Sequence, residues 1–172
     1  MSKKRWAIVA TVCAAVGVVF LTVGGLKFAS APKSDVYLRL RKLNHFDLNQ
    51  VRGNYFILHF WAKWCEPCAE EIPKLVAFAQ RAQFQKPLKI LAVSLDPTLE
   101  ASKQILPDHG AHLPADFILV SDPDHHVAES FGSYQYPETY FIDPAGQIVA
   151  KWVGPQKWNK PEVFEFFKQK VL

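Results

Sequence analysis

An α/β domain, built as a central mixed and mostly parallel sheet flanked by helices, is the fold class this sequence predicts. Three observations carry the prediction. Short apolar runs alternate with stretches of helical periodicity, the order expected of strands linked by helices. The runs "YFILHFW" (55–61) and "LKILAVSL" (88–95) are apolar on both faces, as strands covered by helices on two sides must be. Finally, Pro144-Ala145-Gly146 separates "TYFID" from "QIVAKWV" with the turn chemistry of an antiparallel hairpin.

The amino-terminal part stands apart from that domain. From Trp6 to Leu26 the chain runs 21 residues without a charge. As a helix rising ~1.5 Å per residue it spans about 32 Å, the thickness of a bilayer's hydrocarbon core. Residues 1–27 are therefore expected to be a single transmembrane anchor. Lys3, Lys4 and Arg5 precede it and favour the cytoplasmic side, so everything after it is expected on the periplasmic, extracytoplasmic side of the inner membrane. Ala29-Ser30-Ala31 resembles a signal-peptide cleavage site, but the apolar stretch exceeds the usual ~7–15 residues of such signals and Pro32 follows directly, so an uncleaved anchor is favoured. Cys13 lies inside this stretch as a small apolar filler. Residues 28–35, small, polar and proline-bearing, are a linker, and the domain occupies 36–172.

Charge supports the division. The formal net charge is +4, yet residues 1–34 alone carry +5 and the remainder sums to −1. The folded part thus lacks the basic footprint of a nucleic-acid binder. Along the domain, a helix from Cys65 carries Ile72, Leu75, Val76 and Ala79 on one face, and Val163, Phe164, Phe167 and Val171 repeat the pattern at the carboxyl end. Asp96-Pro97 and Asp122-Pro123, each a capping residue followed by proline, signal two helix starts around the short strand "FILV" (117–120).

The chemistry centres on "FWAKWCEPCAEEIP" (60–73). Cys65 and Cys68 fall in the first turn of a helix after a central strand. Unpaired backbone N–H groups and the positive end of the helix dipole stabilise an anion there, lowering a thiol's pKa from ~8.5 and populating the thiolate. Two intervening residues let the second thiol reach the first, so a mixed disulfide on Cys65 can be resolved by Cys68. Pro67 suits an early helical position, where its missing N–H has no partner to lose. Other uses of such a pair are weaker: structural zinc needs about four ligands and there is no second pair, a purely structural disulfide over so short a loop adds little, and a reduced, inert core pair sits poorly beside Glu66, Glu70 and Glu71.

"FWAKWCEPC", "CEPCAEEIP" and, about 70 residues on, "YPETYFID" together resemble the thioredoxin superfamily, over roughly residues 46–172. Within it they are similar to the membrane-anchored TlpA, ResA and DsbE (CcmG) branch, which handles thiols during cytochrome c maturation. The resemblance implies a thioredoxin fold, a redox-active Cys65–Cys68 disulfide, and a cis peptide at Tyr136-Pro137 facing it across the active site and presenting backbone for strand-like pairing with a partner peptide. It places Glu71 and Pro73 as in the branch's CxxCxxExP pattern. Glu71, three residues after Cys68 on the same helical side, is a candidate to exchange the proton Cys68 loses, against the alternative of a solvated charge. Pro73 is expected to kink the helix. Glu66 disfavours the thiolate relative to a histidine there, making the pair less oxidising than a CPHC-type one.

His59 departs from the pattern, standing where thioredoxins carry a buried Asp and this branch often Asn. It is either a proton acceptor for Cys68 or a hydrogen-bonded core histidine, the second favoured. The segment before Phe46 looks shorter than the family's amino-terminal hairpin. Trp61, Trp64 and Tyr136 line the site or simply pack. His109, His112, His125 and His126 raise the question of a metal, but copper-handling relatives use a CxxxC pair, so neither metal nor any other cofactor is expected. A peroxidatic Thr-x-x-Cys is absent.

The function expected is that of a thiol:disulfide oxidoreductase, with Cys65 attacking and Cys68 resolving. By resemblance it reduces disulfides in partner proteins such as apocytochrome c, fed by an integral-membrane thiol donor of the CcdA/DsbD kind. The alternatives are a general disulfide oxidase or isomerase, and a non-catalytic, metallochaperone-like module.

Overall fold

The structure is a computed structural model and describes residues 35–82, 84 and 86–171. The expected anchor, Cys13 and nearly all of the expected linker lie outside the described residues. No helix among the described residues is long and apolar enough to cross a membrane.

The elements follow the order expected from the alternation of patterns. A short helix α1 (Val36–Leu40) is the first element among the described residues. Then come β1 (Tyr55–Trp61), α2 (Glu66–Arg81), β2 (Leu88–Ser94), α3 (Leu99–Lys103), β3 (Phe117–Ser121), α4 (His126–Ser130), β4 (Glu138–Ile142), β5 (Ile148–Val153) and α5 (Pro161–Val171). Helix α2 continues through Pro73. Before β1 the described residues form α1 and a 3-10 turn at Leu48–Gln50.

The five strands form one sheet in the order β3-β2-β1-β4-β5. β1 is parallel to β2, and β2 to β3, whereas β4 is antiparallel to both β1 and β5. Four strands therefore run one way and β4 opposes them. β4 starts at the end of the sheet where β1 stops, with Glu138 opposite Phe60, so the chain leaving β3 enters β4 without first returning along the sheet.

Being central, β1 is buried from Phe56 to Trp61, and its alternating side chains serve two cores. On one face Phe141 and Trp152 meet Phe167 of α5, which in turn meets Phe78 of α2 and Trp158 from the loop before α5. On the other face Phe60 and Tyr140 pack on Phe131 after α4, and Phe56 on Tyr37 of α1.

Both Asp-Pro signals mark bends rather than helix starts. Helix α3 begins at Leu99, capped by Thr98, whose side chain accepts from Ala101 N at 3.2 Å. Asp96 is taken instead by Lys63 N, 33 residues away, and by its near neighbour Ser94 through Oγ, each at 2.9 Å. Asp122 still serves α4, but from outside it: its carboxylate accepts from Val127 N at 3.0 Å and Ala128 N at 2.9 Å, while His125 occupies the capping position with a left-handed φ of 59°. A carboxylate satisfies helix amides from any backbone position that brings it close, which local sequence cannot reveal.

Candidate active site

The loop that delivers the cysteines is pinned before the helix begins. Trp61 O accepts from Leu95 N at 2.9 Å, and Lys63 N donates to the buried Asp96 carboxylate. Cys65 is the amino-terminal capping residue of α2, with no side-chain capping bond, and its carbonyl accepts from Ala69 N at 3.0 Å. Its sulfur therefore lies among the unpaired amides of the first turn, where anions are stabilised. Pro67 sits in that turn, as expected. Cys65 and Cys68 form a disulfide with Cα atoms 5.2 Å apart. Cys68 is fully buried, whereas Cys65 retains 8% exposure at the rim. An incoming sulfur can reach only the first of the two.

Beneath the pair, Glu71 is 1% exposed, so the solvated-charge alternative fails. One carboxylate oxygen, Oε1, accepts both from Gln156 N at 2.9 Å and from the Trp158 indole N–H. The other, Oε2, has no hydrogen-bond partner among the described residues. Burial pushes the carboxyl up to about 7, opposed by those two donors and by Lys74. Glu71 thus changes charge near neutrality, which an exposed glutamate does not.

His59 is also fully buried, on the same face. Its Nδ1 lies 2.9 Å from Thr139 Oγ1, its directly opposite neighbour on β4, and its ring meets Trp158 edge-on at 6.5 Å. Burial drives its pKa down to about 3, so the ring is neutral at physiological pH. A neutral, hydrogen-bonded imidazole is what this geometry describes, although its Nε2 has no partner among the described residues.

The second wall of the site comes from the start of β4. The Tyr136-Pro137 peptide bond is cis, as the family resemblance implied. Pro137 O accepts from Gly154 N at 2.9 Å, and Tyr136 OH donates to Ser133 O at 3.1 Å. Trp64, 59% exposed, meets the Tyr136 ring at 6.1 Å, so aromatic rings adjoining Cys65 and Pro137 close one corner of the site. Glu66 points to solvent beside the disulfide. Trp61, by contrast, is fully buried.

The sequence reading missed Gln156 and Trp158, which hold Glu71 from 85 and 87 residues away. The signal was a single tryptophan in the otherwise polar segment "GPQKWNK" (154–160), a residue costly to leave in a loop unless it is anchored. Lys151 and Glu138 also went unremarked as a pair. Among the described residues no group of three His, Cys, Asp or Glu side chains converges as a metal cage.

Comparison with known proteins agrees with this geometry. Residues 30–151 match the AhpC/TSA family, and the chain belongs to it. It is 28% identical over 108 residues to the thiol-disulfide oxidoreductase ResA of Bacillus subtilis, covering 63% of this chain and 58% of that protein. It is 34% identical over 99 residues to the thiol:disulfide interchange protein DsbE homolog of Paracoccus denitrificans, covering 58% and 50%. The chain thus spans roughly half to three fifths of the length of these curated relatives. Among solved structures, the thioredoxin domain of a thiol-disulfide oxidoreductase from Bacteroides vulgatus superposes with a TM-score of 0.56 at 25% identity, over 73% of this chain and 84% of that one. StoA of Bacillus subtilis gives 0.55 at 22% identity, over 67% and 84%. The fold is thioredoxin-like.

Proposed function

We propose that this member of the AhpC/TSA family is a thiol:disulfide oxidoreductase that reduces disulfides in partner polypeptides. The single observation that carries the reading is the asymmetry of the pair. Cys65 is at the rim on the first turn of α2, and Cys68 is sealed behind it, on the same helix as a buried carboxyl whose pKa lies near 7.

In the reduced protein the Cys65 thiolate attacks one sulfur of a partner disulfide. A Cys65–partner bond forms, and the partner's other sulfur leaves as thiolate and takes a proton from solvent. Cys68 then gives its proton to Glu71 Oε2, the oxygen without a partner, and attacks Cys65. The intramolecular disulfide forms and the second partner sulfur is released, so two electrons have passed to the partner. Glu71, rather than His59, is the acceptor, because burial penalises an imidazolium at His59 far more than a neutral carboxylic acid at Glu71. The partner backbone is received at Tyr136-Pro137, beside the exposed ring of Trp64.

The finer reading rests on the uncharged amino-terminal stretch and on the resemblance to the ResA and DsbE branch. A single anchor holds the domain on the extracytoplasmic side of the inner membrane, the partner is the haem-binding CxxCH of apocytochrome c, and an integral-membrane thiol donor of the CcdA/DsbD kind returns the two electrons. Trapping tests it. Cys68→Ser in the full chain, expressed in its host, is expected to hold partners as mixed disulfides through Cys65, and Cys65→Ser is expected to hold none. An empty trap, or reduction of insulin by the full chain that survives Cys65→Ser, sinks the reading.

A further inference from the structure

On the face of the sheet away from Glu71 lies a second buried carboxylate that the proposed reaction does not use. Glu138 directly follows Pro137 and is 2% exposed. Its Oε1 is bonded by Tyr140 OH and by Lys151 Nζ, which reaches in from the edge strand β5. Lys151 itself is 40% exposed and stacks its ammonium over the Tyr140 ring, 5.0 Å from the centroid. Tyr140 OH also lies 2.8 Å from Ser133 Oγ and 3.1 Å from Phe131 O. Ser133, fully buried, takes the Tyr136 hydroxyl on its carbonyl and ties its own N–H to Ala128 O.

Phe131, Ser133 and Tyr136 of this network lie on the segment between α4 and β4, and Glu138 is the first residue of β4, directly after the Tyr136-Pro137 peptide that forms the wall opposite the disulfide. Edge strand β5 and the residue that follows it each contribute: Lys151 bonds the Glu138 side chain, and Gly154 N donates to the carbonyl of Pro137. A buried carboxylate that loses its cation is driven toward water, and its movement loads the backbone of residues 136–138.

We propose that Lys151 is a positioning residue for partner binding: by neutralising Glu138 from the edge strand, it holds the 131–138 segment in the shape that receives a partner polypeptide. The proposal rests on the reading above. It separates docking from chemistry, since the network touches neither sulfur and lies on the face opposite Glu71.

The test uses the full chain purified in mild detergent and two oxidants: insulin is reduced in multiple turnovers with dithiothreitol as electron source, and the small disulfide is reacted in a single turnover with the pre-reduced chain freed of dithiothreitol. Insulin must dock as a polypeptide, while 5,5′-dithiobis(2-nitrobenzoate) needs only sulfur access. Lys151→Met keeps the apolar stem and removes the charge. It is expected to raise KM for insulin about tenfold with kcat within about twofold. The rate with the small disulfide and the pH midpoint of Cys65 alkylation are expected to stay as in the wild type. Lys151→Arg is expected to restore the insulin KM. Should Lys151→Met fail to fold, Lys151→Gln is put through the same measurements. An insulin KM unchanged in the charge-removing variant, even with a lowered melting temperature, overturns the proposal, and so does an equal loss with both oxidants. A wild-type chain that reduces the small disulfide but not insulin overturns the parent reading as well, and shows this before any variant is made.

Discussion

The two faces of the sheet each bury one glutamate, and they treat it in opposite ways. Glu71, on the buried side of α2, receives two neutral donors on one oxygen and, among the described residues, no ion pair within 4.0 Å. Glu138, beneath the segment after α4, receives a lysine and a phenol. The first carboxyl is pushed up to about 7 by burial; the second faces an ammonium whose own pKa is raised, chiefly by its bond to that carboxylate. A buried acid bonded only by neutral donors is poised to take and release a proton, whereas one bonded by a cation serves to hold structure. The difference teaches that chemistry and scaffolding are separated here by face, not by residue type.

The contrast can be broken most severely from the aromatic side. Phe167 is 1% exposed and meets Phe78, Phe141, Trp152 and Trp158, so Phe167→Ala is expected to cost ~3–5 kcal/mol in chemical denaturation. Because Trp158 loses its stacked neighbour and water enters, the Glu71 midpoint in that variant is expected to fall toward the ordinary carboxyl value.

Next in size is the pH dependence of stability. Glu71 in the folded chain is raised to about 7 from 4.5, so between those values the native state keeps a proton the unfolded chain has released. Its contribution is fullest below pH 4.5 and falls as pH rises through 7, by up to ~3 kcal/mol at 1.36 kcal/mol per unit. Melting of wild type and Glu71→Gln across that range is expected to show curves that converge at the acid end and diverge above pH 6, the variant being the more stable. The same substitution is expected to slow resolution of the mixed disulfide by ~10²-fold, followed by single-turnover thiol release.

Glu138→Gln is expected to have the opposite sign, destabilising by about 2 kcal/mol at neutral pH; the value is below the ~3–5 kcal/mol of a fully buried pair because Lys151 is 40% exposed. Equal signs for the two glutamate variants would erase the distinction between the faces. The smallest effect is expected from Trp158→Phe, which removes a donor that favours the Glu71 carboxylate. The pH midpoint of the resolving step is expected to rise by about one unit, read from the pH profile of thiol release.

Much of the architecture was legible because its signals are local. Apolar runs of strand length, helical periodicity at Ile72, Leu75 and Val76, and the Pro144-Ala145-Gly146 turn each act within about ten residues, and each element formed where its pattern lies. The cysteine spacing and the proline before β4 were equally plain. The starts of α3 and α4 were not, since Asp96 is drawn to Lys63 N across 33 residues and Asp122 serves the amides of α4 from outside the capping position, which His125 occupies.

Taken alone, the amino-acid sequence determined which atoms are capable of chemistry: two sulfurs three residues apart on a helix start, a carboxyl on the same helical side, and an order of strands and helices that puts them at the end of a central strand. It could not say whether Glu71 is ionised or Glu138 is neutralised. Those properties arise when Gln156 and Trp158 close over one acid and Lys151 reaches the other, contacts made by residues that only the folded sheet brings together. Charge state in a protein depends on burial and on the nearest countercharge, and both are set by the complete packing rather than by any segment.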